Sequence, residues 1–141
     1  MSRKIVHVVG TGTIGEPLIG LLSDFKDKLG IDEITFHKNS PLTTDRSKVR
    51  NLMKRGARLT THEEKFDGFN SLGLKPEFST EQAIDRASVV IDCTPKGYGQ
   101  KNKVDYYEKF LHNTKGFIAQ GSEVGFGKMY ARGINDEALN I

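Results

Sequence analysis

The feature that most constrains this chain is an apolar segment near its start that leads directly into a G-x-G-x-x-G motif. Residues 4–9 read Lys-Ile-Val-His-Val-Val, which predicts a buried strand, and the glycines follow at Gly10, Gly12 and Gly15. In dinucleotide-binding folds these glycines allow a tight turn, close backbone approach to a pyrophosphate, and close packing of helix on strand. The motif therefore predicts a dinucleotide site.

The surrounding residues fit the strand-helix-strand unit that such a motif requires. Apolar residues recur at helical spacing from Ile14 to Leu29, Gly30 supplies a left-handed stop, and residues 33–37 predict a second strand. Together they fit the required unit of about 30 residues. Free N–H groups at the start of the helix, around Thr13 and Ile14, favour an anion there. A glycine-rich surface turn is the weaker interpretation.

The rest of the sequence alternates strand and helix patterns, which predicts one Rossmann-like α/β domain over residues 1–141 with a doubly wound, mostly parallel sheet. The expected elements are a helix ending at Gly56, strands at 57–61, 74–78, 88–92 and 117–119, helices at 80–86 and 104–111, and an extended segment at 128–134. We expect residues 62–73 to form a loop, Ser79 and Gln82 a capping box, and Asn135 the cap of a final turn.

Ligands of such sheets bind beyond the carboxyl ends of the strands. The glycine loop, Lys38, residues 93–97 and residues 120–121 all follow predicted strands, so we expect them to converge on one crevice. The candidate cofactor-binding residues are Gly10, Gly12, Thr13, Ile14, Gly15, Lys38, Asn39, Cys93, Thr94, Pro95, Gly97, Gln120 and Gly121.

Composition narrows the possible partners. With 36% hydrophobic and 28% charged residues, no apolar run long enough for a membrane span and no signal-peptide core, the chain is expected to be cytoplasmic with no membrane partner. A formal charge of +3 is too small by itself to indicate nucleic acid. Neither a disulfide nor a metal site is expected from one cysteine without ligand spacing.

The residues after the second strand bear on the choice of cofactor. NAD sites usually place Asp or Glu there to bind the ribose 2′-OH, whereas NADP requires a cation for the 2′-phosphate. This chain has Lys38 and Asn39, with no carboxylate directly after the strand. Lys38 is therefore predicted to pair with the phosphate, which favours NADP over NAD, and hydrogen bonds are expected from Asn39, Ser40 or Thr43. The alternative is that Lys38 is a solvated turn residue.

The basic run from Arg46 to Arg58 has three interpretations: a solvated helix face, attraction for a polyanionic cofactor, or a contact with nucleic acid. Because no aromatic residues interleave with it, nucleic acid is not expected as a partner. Cys93 is interpreted as a wall of the crevice in preference to a nucleophile, since no histidine lies near it in sequence. His7 is expected to be buried and hydrogen-bonded, and the other three histidines to lie at the surface.

Several segments resemble the cofactor domain of archaeal-type glyceraldehyde-3-phosphate dehydrogenases. The most specific is residues 92–102, Asp-Cys-Thr-Pro-Lys-Gly-Tyr-Gly-Gln-Lys-Asn, similar to that family's D-C-T-P-x-G signature and its following K-N. The others are the glycine loop at 10–15, Lys38 with Pro41, Lys54 to Gly56, residues 120–123, where Ser122 replaces a glycine of Q-G-G-E, and residues 128–139. The resemblance implies NADP or NAD, a nicotinamide near Gln120 and Gly121, and tetrameric assembly in the full enzyme.

In that family the nucleophilic cysteine and the acyl-binding domain follow this region. We therefore expect a cofactor domain of an oxidoreductase that lacks its catalytic domain, contains no catalytic residue and is inert alone. The alternative is a stand-alone sensor that binds the same dinucleotide and regulates a partner. In either case the chain could assemble as a homo-oligomer. A homoserine or semialdehyde dehydrogenase is a third interpretation, and the D-C-T-P-K-G segment argues against it.

Overall fold

The computed structural model describes residues 2–120 and 123–139. Six parallel strands form one sheet in the order β4-β3-β2-β1-β5-β6. The strands are β1 (Ile5–Val9), β2 (Glu33–His37), β3 (Arg58–Thr61), β4 (Phe78–Ser79), β5 (Val89–Asp92) and β6 (Gly116–Ala119). The predicted Rossmann-like α/β fold is confirmed.

Five α-helices connect the strands: α1 (Gly15–Leu29), α2 (Arg46–Lys54), α3 (Phe66–Ser71), α4 (Thr80–Arg86) and α5 (Tyr98–Asp105). Short 3-10 helices lie at Thr43–Asp45, Glu63–Lys65, Tyr107–Phe110 and Asp136–Ala138. Within the described residues, none of these helices combines the length and the apolar character needed to cross a bilayer.

The first strand-helix-strand unit lies where the sequence predicts it. Gly30 ends α1 with a φ of 68°, the left-handed conformation expected of a glycine at this position. The predicted capping box at the start of α4 is also present. The Ser79 hydroxyl accepts from the Gln82 N–H at 3.2 Å, and the Gln82 side chain accepts from the Ser79 N–H at 3.0 Å.

The two faces of the sheet are covered by different elements. Helices α1, α2 and α3 pack on one face, where Val8, Ile34, Phe36 and Leu59 form the centre of the main apolar core. Helix α4 and the Tyr107 ring cover the opposite face, with a smaller apolar cluster. The sheet is therefore doubly wound, as predicted.

Three predictions for the less regular segments are wrong. Residues 62–73 are not a loop, because Phe69 is fully buried and anchors helix α3 in the core. The strand predicted at 74–78 is reduced to the two residues of β4. The helix predicted at 104–111 begins earlier, as α5. Gly97, with a φ of 91°, turns the chain directly after residues 93–96, called here the β5 loop.

The last segments also differ from expectation. The strand predicted at 117–119 is present as β6 but lies at the sheet edge, with Ile118 half exposed instead of buried. Residues 128–134 form no strand. Asn135 precedes a 3-10 helix, but its side chain does not cap that helix; its Oδ1 accepts from the Ala131 N–H at 2.7 Å and so closes the preceding turn.

Candidate functional site at the carboxyl ends of the strands

Two of the three motif glycines are required by the fold itself. Gly10 has a φ of 105°, and a Cβ atom there would lie 3.1 Å from the carbonyl carbon and oxygen of Cys93. A Cβ on Gly15 would lie 2.0 Å from the Gly10 carbonyl oxygen. The loop therefore packs its backbone against the β5 loop on one side and against the start of α1 on the other.

Gly12 is different from its two neighbours. No heavy atom of the described residues lies within 4 Å of a Cβ built there, and its φ is not in the left-handed region. Neither packing nor backbone conformation within the described residues therefore requires a glycine at this position. The space above Gly12 is open and fits a close-approaching pyrophosphate.

The loop presents unpaired backbone donors at the start of α1. No side chain caps this helix, and no partner within residues 2–120 or 123–139 accepts from the N–H groups of Thr13, Ile14 or Gly15. Thr13 and Ile14 are exposed at the crown of the loop. Unpaired N–H donors at the positive end of a helix dipole are the arrangement that binds a phosphate, and here they follow Gly12 directly in the chain.

Asp92 organises the neighbouring β5 loop. Its fully buried carboxylate accepts from the Thr94 N–H at 2.9 Å and from the Thr94 hydroxyl. It also accepts from the Asn102 amide at 3.0 Å and from the Tyr107 hydroxyl at 2.6 Å. Asp92 is not among the site residues predicted from the sequence. Its position at the end of an apolar strand is the feature that could have indicated this organising role.

Cys93 lies where a wall of the crevice would be. Its N–H donates to the Val9 carbonyl at 2.8 Å, and its Cβ would be 3.5 Å from a Cβ placed on Gly15. Burial, with a smaller contribution from the Asp92 carboxylate, raises the pKa of the Cys93 thiol to about 11. A half-buried thiol of this kind is protonated at neutral pH and is a poor nucleophile.

Lys38 is not a solvated turn residue, because its side chain is only 13% exposed and its Nζ lies 2.8 Å from the Asp45 carboxylate. Asp45 stands on the 3-10 helix before α2, so the chain does place a carboxylate beside the end of β2. A hydrogen bond from Lys38 is the main reason that the pKa of Asp45 is lowered. The exposed Asn39 side chain accepts from Lys65 Nζ at 3.2 Å.

The basic run is dispersed among individual partners. Arg46 donates to the Leu72 carbonyl at 2.8 Å, Arg55 pairs with Asp24 at 2.7 Å, and Lys48 donates to the Thr11 carbonyl of the glycine loop at 3.1 Å. Only Lys48 among these three reaches the motif. The run as a whole is therefore not one surface for a polyanion.

Two predictions about histidines require correction. His7 is buried and its Nδ1 bonds to the Thr35 hydroxyl at 2.7 Å, but its Nε2 has no partner among the described residues, so the imidazole is only half satisfied. His37 is buried, not at the surface, because it is the last residue of the central strand β2. Burial lowers the pKa of His7 to about 4 and that of His37 to about 3.

Comparison with known proteins identifies relatives of this chain, although no family model matches it. It is 34% identical over 107 residues to a glyceraldehyde-3-phosphate dehydrogenase of Methanobacterium bryantii, covering 75% of this chain and 30% of the relative. It is 27% identical over 121 residues to the Pyrobaculum islandicum enzyme of the same name, covering 84% and 31%. The resemblance to archaeal-type glyceraldehyde-3-phosphate dehydrogenases is confirmed. The chain spans about 30% of the length of these relatives.

Gln120 and Glu123 are the two described residues of the segment that resembles the Q-G-G-E motif of glyceraldehyde-3-phosphate dehydrogenases, and both bond to residues at or beyond the end of β5. The Gln120 N–H donates to the Asp92 carbonyl at 3.0 Å, which places Gln120 directly beyond β6. Gly121 lies outside the described residues. The Glu123 carboxylate accepts from the N–H groups of Gly97, at 3.0 Å, and Gly99, at 3.2 Å, and so caps the start of α5. This cap was not expected from the sequence.

Most of the predicted site residues therefore fall into two groups, one around the glycine loop and the end of β2 and the other beside the start of α5. The glycine loop and residues 93–94 are in direct contact, and the Lys38 carbonyl accepts from the Thr61 hydroxyl at 2.8 Å at the end of the adjacent strand. Pro95 and Gly97 are exposed beside the start of α5, and the Gly97 N–H donates to the Glu123 carboxylate. The Asn39 amide oxygen accepts from Lys65 Nζ, and no side-chain hydrogen bond within the described residues joins Asn39 to either group.

Proposed function

We propose that this chain is the nicotinamide dinucleotide-binding domain of an oxidoreductase of the glyceraldehyde-3-phosphate dehydrogenase type. The observation that carries the proposal is the open space at Gly12. Gly10 and Gly15 are explained by contacts within the protein, whereas a glycine at position 12 is explained by a ligand that approaches the backbone. Sequence similarity to the named dehydrogenases supports the same conclusion independently.

In this proposal the pyrophosphate lies on the N–H groups of Thr13, Ile14 and Gly15 at the start of α1. Cys93, Thr94, Pro95 and Gly97 line the crevice beyond β5, and Gln120 and Gly121 lie beside the nicotinamide. The bound nicotinamide would supply hydride transfer. The protein contributes orientation, because Asp92 holds the β5 loop and the start of α5 in one arrangement.

We further propose that NADP is preferred over NAD, with Lys38 and Asn39 on the adenosine side. Lys38 stands at the end of β2, where this fold recognises the ribose, and its side chain is already ordered by Asp45. Lys38 therefore supplies the cation that a 2′-phosphate requires.

Catalysis is assigned to residues outside this chain. Aldehyde oxidation of this type needs an activated nucleophile and a base near the nicotinamide. The Cys93 thiol is half buried, and its pKa is raised to about 11, which argues against that role. The chain by itself is therefore proposed to bind the cofactor without oxidising glyceraldehyde 3-phosphate.

The proposal predicts that Gly12→Val abolishes dinucleotide binding while the fold is retained. Valine would occupy the open space that the pyrophosphate needs. Calorimetric titration with NADP and NAD measures the loss, and circular dichroism with thermal melting monitors the fold. We expect at least a hundredfold weaker binding, equivalent to about 2.7 kcal/mol.

Gly127→Val is the matched control, because Gly127 also has open space around its Cβ position and no positive φ, but lies outside the motif. It should bind both dinucleotides normally. Undiminished affinity in a folded Gly12→Val protein would contradict the assignment. The same preparations, assayed with glyceraldehyde 3-phosphate and phosphate, should form no NADPH, and turnover lost in Cys93→Ser would make Cys93 a nucleophile after all.

A further inference from the structure

Three charged side chains from separate segments meet between the end of β2 and the glycine loop. Lys38 Nζ lies 2.8 Å from one oxygen of the Asp45 carboxylate, and Lys48 Nζ lies 3.6 Å from the other. The Lys48 ammonium also donates to the Thr11 carbonyl at 3.1 Å. The group therefore links strand β2, helix α2 and the glycine loop.

The three side chains are partly shielded from water, with exposed fractions of 13% for Lys38, 22% for Asp45 and 27% for Lys48. Two ammonium groups share one carboxylate, so the cluster carries a net charge of +1. Asp45 occupies the position between the two cations. A phosphate bound to both lysines would have to compete for that position.

We propose that Asp45 is the residue that sets the choice between a ribose 2′-hydroxyl and a ribose 2′-phosphate, and that Lys48 is a second phosphate ligand beside Lys38. The inference rests on the proposed dinucleotide function. A 2′-hydroxyl donates a hydrogen bond to the Asp45 carboxylate and leaves both ion pairs intact. A 2′-phosphate accepts from both lysines but is repelled by the carboxylate, which therefore restrains the preference for NADP.

The sequence alone could not point to this arrangement. Asp45 lies eight residues beyond the end of β2, and Lys48 lies on the next helix, within a basic run of which Arg46 and Arg55 bind elsewhere. The 3-10 helix at Thr43–Asp45 turns the carboxylate back towards the strand end. Lys48, one turn further along the chain, then reaches the glycine loop.

The test is calorimetric titration of the full chain with NADP and with NAD at one fixed salt concentration. Asp45→Asn should tighten NADP about two- to fivefold and weaken NAD about two- to fivefold, as expected for loss of one partly exposed charge contact. Lys48→Gln should weaken NADP about tenfold and leave NAD nearly unchanged.

Two controls carry the same charge changes outside the cluster. Asp24→Asn removes a carboxylate near the far end of α1, where it pairs with Arg55, and Lys54→Gln removes an exposed cation from the last turn of α2. Neither should alter the ratio of the two dissociation constants. A shift of that ratio in the controls as large as in Asp45→Asn would overturn the inference, because a general charge effect would explain it.

The result also separates this inference from the proposed function. If the wild-type chain binds both dinucleotides but Asp45→Asn leaves their ratio unchanged, only the role of Asp45 is overturned. If the wild-type chain binds neither, the proposed function fails and this inference fails with it. Asp45→Ser provides a second variant in case the asparagine disturbs the 3-10 helix, and circular dichroism checks that each variant is folded.

Discussion

The two faces of the central sheet differ in the chemistry of the residues that they bury. The face under α1 and α2, called here the apolar face, is centred on Val8, Ile34, Phe36 and Leu59. The face under α4, called here the polar face, carries His7, Thr35, His37, Thr60 and Asp92 together with Val9 and Val90. Every residue of both sets is less than a tenth exposed.

The difference shows how one sheet can combine stability with a functional edge. Apolar burial is non-directional and does not depend on pH. The polar face depends on particular hydrogen bonds, such as that from the Thr60 hydroxyl to the Phe36 carbonyl at 3.1 Å. It also depends on protonation, because His7 and His37 are buried as neutral imidazoles. Asp92, which shapes the β5 loop, belongs to this face.

The largest expected effect is on the apolar face. Phe36→Ala removes a fully buried ring and should lower the free energy of unfolding by about 3–5 kcal/mol. Urea denaturation at pH 7.5 and at pH 5.5 measures it. The loss should be the same at both pH values, and a loss that changes strongly with pH would show that the two faces are not energetically distinct.

The next effect is the pH dependence that the polar face contributes. The folded pKa of His7 lies near 4, below its ordinary value of 6.5, so the neutral form is favoured in the folded state. The contribution of neutral His7 to the free energy of unfolding is complete above pH 6.5 and is lost as the pH falls towards 4. For His7 alone the free energy of unfolding should fall by about 2 kcal/mol between pH 7.5 and pH 5.

Replacement of His7 by Gln should flatten this dependence, measured as urea denaturation at several pH values. Between pH 6.5 and pH 5 the histidines are the expected source of the change in the free energy of unfolding. Glu33 and Asp45 have lowered pKa values, so their contributions to stability are lost only below pH 4.5. Replacing the exposed His112 by Gln is the matched control. An unchanged slope in the His7 variant would mean that His37 or the unfolded state is responsible.

The smallest expected effect is at Thr60. Thr60→Val keeps the shape of the side chain and removes its hydrogen bond to the Phe36 carbonyl, which should cost about 1 kcal/mol at any pH from 5 to 8. Urea denaturation measures this value. A variant more stable than the wild type would mean that the Thr60 hydroxyl destabilises the folded protein, which would contradict this prediction.

The sequence by itself determined the first strand-helix-strand unit and the ends of most strands. Local patterns were sufficient there, because periodicity, a left-handed glycine at position 30 and a capping box at Ser79 act over a few residues. The resemblance in residues 92–102 likewise indicated the relatives found by comparison. Helix α3 was missed because a single fully buried residue, Phe69, anchors a short and mostly polar segment.

Only the tertiary structure decided which residues share the site. Gly12 differs from Gly10 and Gly15 in the reason for which a glycine is present, and this difference depends on the atoms that surround each Cβ position. The pairing of Lys38 with Asp45 and the cap of α5 by Glu123 join residues 7 and 26 positions apart. The buried position of His37 depends on the strands and helix that cover β2. Such contacts follow from the packing of whole elements, and a pattern along the chain records only the residues that are close in sequence.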